Sequence, residues 1–185
     1  SFSNLLAVTV GWILTPGRHA VTEALVATGL NGVRHHEAFH RFFSRARWSR
    51  DAFGRALFRL ILGTLVPDDQ PLAVVIDDTL ALKKGPKVFG IGTHIDAVRS
   101  TRAYRVFCFG HCWVVLAVAV RVPFSRRWWA LPVLFRLYRT KKTCAAKRQR
   151  YRTKTELARE LLHILHGWVG ERRVDRSRFG EGPHP

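Results

Sequence analysis

Apolar residues in the first 66 positions recur at intervals of three and four, the spacing of one helix face. A turn at Leu30-Asn31-Gly32 leaves two interpretations open, a helix-turn-helix that reads DNA and an ordinary helical domain. The pattern predicts four helices: one over 4–14, a second that opens at Thr15-Pro16 and stops near Gly29 and Gly32, a third over 34–44, and a fourth that Ser49 caps, with Phe53, Leu57, Leu60 and Ile61 as its apolar stripe.

From residue 67 onwards the pattern changes to that of β-strands. Leu72–Ile76 is a continuous apolar run that ends in Asp77-Asp78-Thr79, which is typical of a buried central strand with acid at its tip. A basic, turn-rich loop is predicted to follow, over 83–92. Three further strands are predicted, at Tyr104–Phe109 and Trp113–Val120 on either side of Gly110-His111, and at Ala130–Tyr138.

One more helix is predicted near the end of the chain. Thr153-Lys154-Thr155-Glu156 is a capping box, and the apolar residues after it lie on one helical stripe: Leu157, Leu161, Ile164, Leu165 and Trp168. After Gly170 the pattern breaks, because residues 171–185 contain four arginines and no apolar run. Strands followed by a helix predict the first half of an α/β domain, in which another strand should extend the sheet. Residues 171–185 do not supply that strand.

Net charge changes this picture more than composition does. The 185 residues are 47% apolar, as in a globular protein, and carry a formal net charge of +18. Such an excess of cations favours a polyanionic partner, nucleic acid before an anionic membrane surface. No apolar run is long enough for a membrane span, and the first residues do not resemble a secretory signal. Three cysteines make no disulfide framework, so a reducing compartment is expected.

The basic residues cluster in two stretches. Residues 121–155 contain 12 lysines and arginines and no acid, interleaved with Trp128, Trp129, Tyr138 and Tyr151. Residues 34–59 add seven arginines on predicted helices. Because cations bind phosphates and aromatic faces stack on bases, these stretches favour a nucleic-acid surface over solvated loops.

Two short motifs contain residues that bind metals. His36-Glu37-Ala38-Phe39-His40 satisfies the H-E-x-x-H pattern of zinc proteases, but no third ligand follows it and arginines surround it. Cys108–Cys112 has the ligands of half a structural zinc site, and only Cys144 remains to complete it. We therefore expect a basic helix with polar histidines, and strand cysteines that behave as small apolar side chains.

Asp77 and Asp78 are the strongest candidates for catalytic chemistry. Successive strand residues point to opposite faces, so one of the two can be catalytic while the other is solvated or supports it. A carboxylate at the end of a buried strand, in so basic a chain, fits Mg²⁺ held for phosphoryl transfer. A pair of solvated acids that offset nearby lysines fits the pattern equally well. The residues alone leave both interpretations open.

Several sequence blocks from Gly11 to about Gly167 resemble, in order, the N-terminal part of bacterial insertion-sequence transposases of the DDE type. The blocks are Gly17-Arg18-His19, His40–Ser49, Val75–Thr79, Lys84–Gly90, Phe109–Leu116, Trp129–Val133 and Tyr151–Lys154.

This resemblance implies the first, incomplete half of a ribonuclease-H-like α/β domain with a mixed sheet over residues 67–170, preceded by a helical DNA-binding or dimerisation region over 1–66. Such enzymes cut transposon ends and join them to target DNA by two-metal phosphoryl transfer, with Mg²⁺ or Mn²⁺ held by two Asp and a Glu. The first Asp corresponds best to Asp78, as catalytic residue and metal ligand, with Asp77 as the alternative. The resemblance implies DNA as partner, allows a homodimer, and implies neither a membrane nor a small-molecule substrate. It also implies a cytoplasmic, nucleoid-associated location.

Basic residues from both halves of the chain are then expected to lie along DNA. They are Arg41, Arg45, Arg47, Lys83, Lys84, Lys87, Arg126, Arg127, Lys141, Lys142, Lys147, Arg148, Arg150, Arg152 and Lys154.

The second Asp and the Glu of the family pattern have no accepted counterpart. The second Asp should end an apolar strand just after the 155–167 helix, and Asp175 lies in a segment with no apolar run. Glu156 and Glu160 precede the place of that strand. We therefore expect a truncated or frameshifted transposase, with 171–185 as an aberrant or out-of-frame tail, which binds DNA without cleaving it. The alternative is a non-enzymatic basic DNA-binding protein.

Overall fold

The computed structural model describes residues 2–67, 69–83, 85 and 88–179, and only the backbone of 171–179. These residues form a mixed α/β structure, as predicted, with six helices and a four-stranded sheet. The described strand pairs are all antiparallel, so the prediction of a mixed sheet is wrong for this part of the chain. In chain order the elements are α1 (Phe2–Leu14), α2 (Val21–Ala27), α3 (Glu37–Arg45), α4 (Arg50–Leu65), β1 (Val74–Leu82), β2 (Gly92–Ile95), β3 (Phe107–Arg121), β4 (Trp128–Tyr138), α5 (Lys141–Ala146) and α6 (Lys154–Phe179).

The chain divides into two compact units, residues 1–49 and 50–185. The fourth helix, α4, packs on the sheet and so belongs to the second unit, whereas the sequence grouped it with the preceding helices. Within the described residues, no helix combines the length and the apolar character that a membrane crossing requires.

The first unit is a small bundle of α1, α2 and α3. Its core consists of Val8, Ala24, Leu25 and Phe39, each almost fully buried. A glycine lets the first two helices approach closely, because a Cβ on Gly11 would lie 2.3 Å from the carbonyl oxygen of Ala24. The bundle therefore depends on a backbone contact between α1 and α2 that a larger residue would block.

The second helix begins at Val21, so the prediction that it opens at Thr15-Pro16 is wrong. The hydroxyl of Thr15 donates a hydrogen bond of 2.7 Å back to the carbonyl of Gly11, which ends α1 instead of capping α2. Residues 28–36 separate α2 from α3, a longer connection than the short turn of a helix-turn-helix. The bundle does not have the spacing of that motif.

The sheet is built around one long strand, β3. Strand β1 pairs with one edge of β3, while β2 and β4 pair with the other edge, one after the other. The prediction of two strands around Gly110-His111 is wrong, since β3 runs through both residues. Gly110 allows β1 to approach, because a Cβ there would lie 2.3 Å from the carbonyl oxygen of Ala81.

Strand β1 lies at an edge of the sheet, and the prediction of a buried central strand is wrong. Among the described residues its only strand partner is β3. Its apolar residues Val74 and Val75 are 36% and 46% exposed. The acids Asp77 and Asp78 lie in the middle of the strand, which continues to Leu82. A continuous apolar run does not distinguish a central strand from an edge strand with one partner.

Helices α4 and α6 cover one face of the sheet and form the main core with it. The core face of α4 consists of Phe58, Ile61 and Leu62, whereas Phe53 and Leu60 of the predicted stripe are 53% and 61% exposed. The face of α4 that packs on the sheet therefore differs from the predicted stripe. The reason is that α4 approaches β4 most closely at Gly54, where a Cβ would lie 2.1 Å from the carbonyl oxygen of Val133.

The predicted capping box opens α6 as expected. The Glu156 carboxylate accepts a hydrogen bond of 2.7 Å from the amide of Thr153, and the Thr153 hydroxyl accepts one of 3.1 Å from the amide of Glu156. Leu157, Leu161 and Leu165 enter the core, which confirms the predicted stripe.

Two elements differ from the sequence interpretation of the C-terminal part. The helix α6 runs to Phe179 instead of ending near Gly170, because a helical backbone requires only local hydrogen bonds. The remaining residues of the predicted tail, 180–185, lie outside the described residues. A short helix, α5, also replaces part of a predicted loop, and the hydroxyl of Thr140 caps it.

Gly54→Ala tests the close approach of α4 to β4. The new methyl group has no room beside the Val133 carbonyl, so we expect the free energy of unfolding to fall by about 1–3 kcal/mol. Gly63→Ala on the same helix is the control, since nothing lies within 4 Å of its Cβ position. This change should raise the stability by about 0.5–1 kcal/mol. Urea denaturation measures both, and equal effects would contradict the packing described.

Candidate active site and nucleic-acid interface

Asp78 lies on the face of the sheet that the helices cover. It pairs with Val114 of β3, a core residue, whereas Asp77 faces the other side, as strand alternation predicts. One carboxylate oxygen of Asp78 accepts hydrogen bonds from Nζ of Lys154, at 2.5 Å, and from Sγ of Cys112, at 3.3 Å. Asp77 accepts a hydrogen bond of 2.7 Å from the amide of Asp78. The structure therefore brings Asp78, and not Asp77, to the N-terminus of α6.

The charges in this cluster are fixed by the contact between Asp78 and Lys154. The hydrogen bond from Lys154 lowers the pKa of the Asp78 carboxyl against the opposing effect of burial, and the Cys112 bond adds to it. Burial, with the bond to Asp78, raises the pKa of the Cys112 thiol to about 11. At neutral pH the cluster therefore holds a carboxylate, an ammonium group and a protonated thiol.

Aromatic side chains and a histidine surround the cluster. The Lys154 ammonium lies 5.5 Å from the ring centroid of Tyr138, whose hydroxyl is 3.2 Å from that of Tyr151. Burial and Tyr151 together raise the pKa of Tyr138 to about 12. His94 of β2 is 8% exposed, and its Nε2 has no hydrogen-bond partner within the described part of the chain. Burial and the nearby Lys154 lower the pKa of His94 and keep its ring neutral.

The sequence did not indicate His94, Cys112 or Tyr138 as members of one cluster. Strand β2 has only four residues, too few for alternation to be recognised within a turn-rich loop. Cys112 and Tyr138 are paired residues on β3 and β4, and this pairing is set by a register that no local pattern encodes.

The described residues do not fit a divalent-metal centre. Mg²⁺ and Mn²⁺ require several oxygen ligands, and Asp78 shares its oxygen with an ammonium group and a thiol. Across the described ranges, no group of three histidine, cysteine, aspartate or glutamate side chains is arranged to hold a metal ion. The H-E-x-x-H motif at residues 36–40 lies within these ranges, and its side chains do not form such a group either.

Glu160 of α6, which precedes the place expected for the missing strand, has a structural role. Its carboxylate binds Nε of Arg136 at 2.8 Å, and it also pairs with Arg152. Asp51 of α4 binds the other side of the same Arg136 guanidinium at 2.8 Å. Glu160 is therefore engaged in an ion-pair network between α4, β4 and α6.

The predicted DNA-binding residues fall into separate groups in the structure. Arg41, Arg45 and Arg47 belong to the first unit, on α3 and just after it. Lys83 follows β1, whereas Lys84 and Lys87 lie outside the described residues. The turn between β3 and β4 carries Arg126 and Arg127. The largest group lies on α5 and between α5 and the start of α6: Lys141, Lys142, Lys147, Arg148, Arg150, Arg152 and Lys154.

Not all of these cations are equally available to DNA. Lys154 is bonded to Asp78 and Arg152 to Glu160, so their charges are partly offset. Arg150 and Arg152 line a cavity of about 350 Å³ in the second unit. The cavity has aromatic walls, Phe89 and Trp113, and three further arginines: Arg50, Arg136 and Arg139. Arg136 and Arg152 are already paired with acids, so Arg50, Arg139 and Arg150 are the cations that favour an anion there.

Comparison with known proteins identifies the class to which the chain belongs. The family model described as DDE superfamily endonuclease matches residues 2–174. The protein therefore belongs to the DDE superfamily endonucleases, transposase-like nucleases that act on DNA and generally use divalent metals. This confirms the resemblance recognised in the sequence. No curated protein and no solved structure matches the chain.

The pKa of Asp78 should depend on one lysine. Replacing Lys154 with Met removes the main cause of the lowered pKa, so we expect the pKa of the Asp78 carboxyl to rise. In the unchanged protein, the stability that this ion pair contributes is present above the ordinary carboxyl pKa and is lost as the pH falls through the lowered one. Carbon-13 NMR titration of the aspartate carboxyls measures the shift.

Lys142→Met on α5 is the matched control, because it removes the same charge from a residue with no contact to Asp78 among the hydrogen bonds and ion pairs described here. An Asp78 pKa that is unchanged in Lys154→Met, or raised equally in both variants, would contradict the assignment.

Proposed function

We propose that the protein is a DNA transposase of the DDE class, from a bacterial insertion sequence. The observation that carries this proposal is the family match over residues 2–174. Action on the transposon and the target would take place on chromosomal DNA, at the nucleoid in the cytoplasm. The ribonuclease-H-like identity of the catalytic domain is part of the proposal. It is supported by a long central strand with antiparallel neighbours and by an acid on the adjacent β1.

Asp78 is the proposed first acid of the active site, in preference to Asp77. Three features support this choice: its carboxylate faces the helix-covered side of the sheet, its pKa is lowered, and a cation already lies against it. A carboxylate that stays ionised and attracts cations has the properties that a metal ligand needs. A divalent ion of the kind that the family generally uses, Mg²⁺ or Mn²⁺ in this proposal, would need several oxygen ligands besides Asp78.

The proposed DNA interface in the second unit is the basic group on α5 and the residues that follow it. The group lies in a stretch with 12 cations and no acid, and five arginines line the adjoining cavity. Such a surface binds phosphates irrespective of sequence. The arginines of α3 form a second proposed contact, and a homodimer through the first unit is compatible with DNA that has two ends.

Salt dependence tests the interface. The double substitution Lys142→Ala, Lys147→Ala removes two exposed cations, and we expect weaker duplex binding with the slope of log K against log salt reduced by about one per lost contact. Fluorescence anisotropy at several salt concentrations measures it. Arg102→Ala, Arg105→Ala between β2 and β3 removes equal charge at exposed positions outside the proposed contacts, and an equal loss there would argue for attraction by net charge alone.

A second candidate function is DNA binding without cleavage. The observation in its favour is the Lys154 ammonium at 2.5 Å from Asp78, in a cluster that has no second carboxylate among the described residues. Such a protein would bind transposon ends and block them.

Nicking of supercoiled DNA tests whether the 185-residue chain has a competent active site of its own. We expect the 185-residue chain to bind DNA and to leave it uncut with Mg²⁺ or Mn²⁺, because Asp78 has no companion acid in the described cluster. Gel electrophoresis of the plasmid is the measurement. Metal-dependent nicking that disappears in Asp78→Ala and persists in Asp77→Ala would instead show a competent active site built on Asp78.

A further inference from the structure

The turn between β3 and β4 exposes three large aromatic rings. Phe124, Trp128 and Trp129 are 84%, 57% and 46% exposed. The turn itself has a defined geometry, since the amide of Ser125 donates to the carbonyl of Val122 and the amide of Arg127 donates to the Ser125 hydroxyl. Aromatic rings held in water on an ordered support are characteristic of a binding surface.

This turn lies at the end of a two-stranded ribbon. The pairing of β1 with β3 ends at Val118, apart from one hydrogen bond of 2.9 Å from the amide of Ala119 to the carbonyl of Ala73. Beyond that point β3 pairs only with β4, within the described residues. The ribbon is anchored at its base, because Val120 and Val122 are 2% and 8% exposed in the main core. The rings are therefore presented on a fixed base.

The rings are distributed over both faces of the ribbon. Trp128 and Trp129 are successive strand residues and point to opposite sides. The Arg121 guanidinium lies 5.0 Å from the ring centroid of Trp128 on one side. On the other side Phe124 contacts Trp129 edge to face, with ring centroids 6.3 Å apart. Each side thus offers a flat ring already fixed by a neighbour.

Charge complementarity indicates the chemistry of the partner. Three arginines, Arg121, Arg126 and Arg127, flank the rings, and residues 121–155 contain no acid. Two such ribbons would repel each other, which disfavours a second copy of the chain. A flat apolar group next to a phosphate is the structure of a nucleotide. In duplex DNA the base faces are already stacked on one another, so only unpaired nucleotides offer them.

We propose that the turn of the β3–β4 ribbon binds unpaired nucleotides of DNA, with bases stacked on Trp128 and Trp129 and phosphates bound by Arg126 and Arg127. This proposal rests on the proposed function, since it names the kind of DNA that the protein prefers. It assigns the tryptophans a role distinct from the basic group on α5, which binds phosphates irrespective of pairing.

Two DNA substrates test the proposal with the full chain: a short duplex, and the same duplex with a central gap of unpaired nucleotides. Fluorescence anisotropy should show tighter binding to the gapped substrate. In the double variant Trp128→Ala, Trp129→Ala, the affinity for gapped DNA should fall at least about tenfold, until it equals the affinity for the duplex. The affinity for the duplex itself should change little. Arg126→Ala, Arg127→Ala should weaken binding to both substrates and lower the salt slope.

Tyr104→Ala is the matched control, because this ring is 70% exposed outside the ribbon, and the preference for gapped DNA should persist in this variant. Trp128→Leu, Trp129→Leu keeps the apolar bulk without the rings. It should lose the preference while circular dichroism remains that of the unchanged protein, which separates lost stacking from lost folding.

The possible results separate this inference from the proposed function. Equal binding of both substrates by the unchanged protein, or a preference retained in both tryptophan variants, would overturn the inference and leave the transposase proposal intact. If the tryptophan substitutions change the oligomeric state, or abolish binding to anionic vesicles, while the preference for gapped DNA is retained, the inference is also overturned. Absence of binding to either substrate would refute the proposed function itself.

Discussion

A largely buried guanidinium group links the two helices and a strand of the second unit. Arg136 projects from β4 towards the helix-covered face of the sheet, with 12% of its side chain exposed, and binds Asp51 of α4 and Glu160 of α6 at 2.8 Å each. Removing either acid would leave a cation with little access to water, so the two helices and the strand depend on one another. The position of α6 in turn sets where Lys154 reaches Asp78. The candidate site therefore depends on an ion pair outside it.

The contact between Lys154 and Asp78 links the fold to the proposed active site. The cation in contact with the proposed first acid is a side chain of the same chain. The lysine is in the first turn of α6, where a capping box fixes the start of the helix. Local helix chemistry thus determines which group neutralises Asp78, and the neighbouring Cys112 thiol stays protonated and donates to the same oxygen.

Features that depend on neighbouring residues were predictable, and features that depend on distant ones were not. The capping box at Thr153 and the stripe of α6 are each encoded within one segment. The passage of β3 through Gly110 requires knowing that the Ala81 carbonyl lies against it, and the exposure of β1 requires knowing its partners. At the candidate site the sequence indicated the aspartates, whereas His94, Cys112 and Tyr138 join Asp78 only through the register of the sheet.

The order of strand pairing has a consequence for how the second unit folds. Strands β3 and β4 are joined by a short turn, whereas Val74 of β1 pairs with Val118, a partner far along the chain. Closing the longer loop costs more conformational entropy, so the hairpin is favoured as an early folding nucleus and β1 adds to it later. The segment that carries Asp78 is then among the last parts of the sheet to assemble. During synthesis on the ribosome, the aspartate emerges well before the lysine that neutralises it.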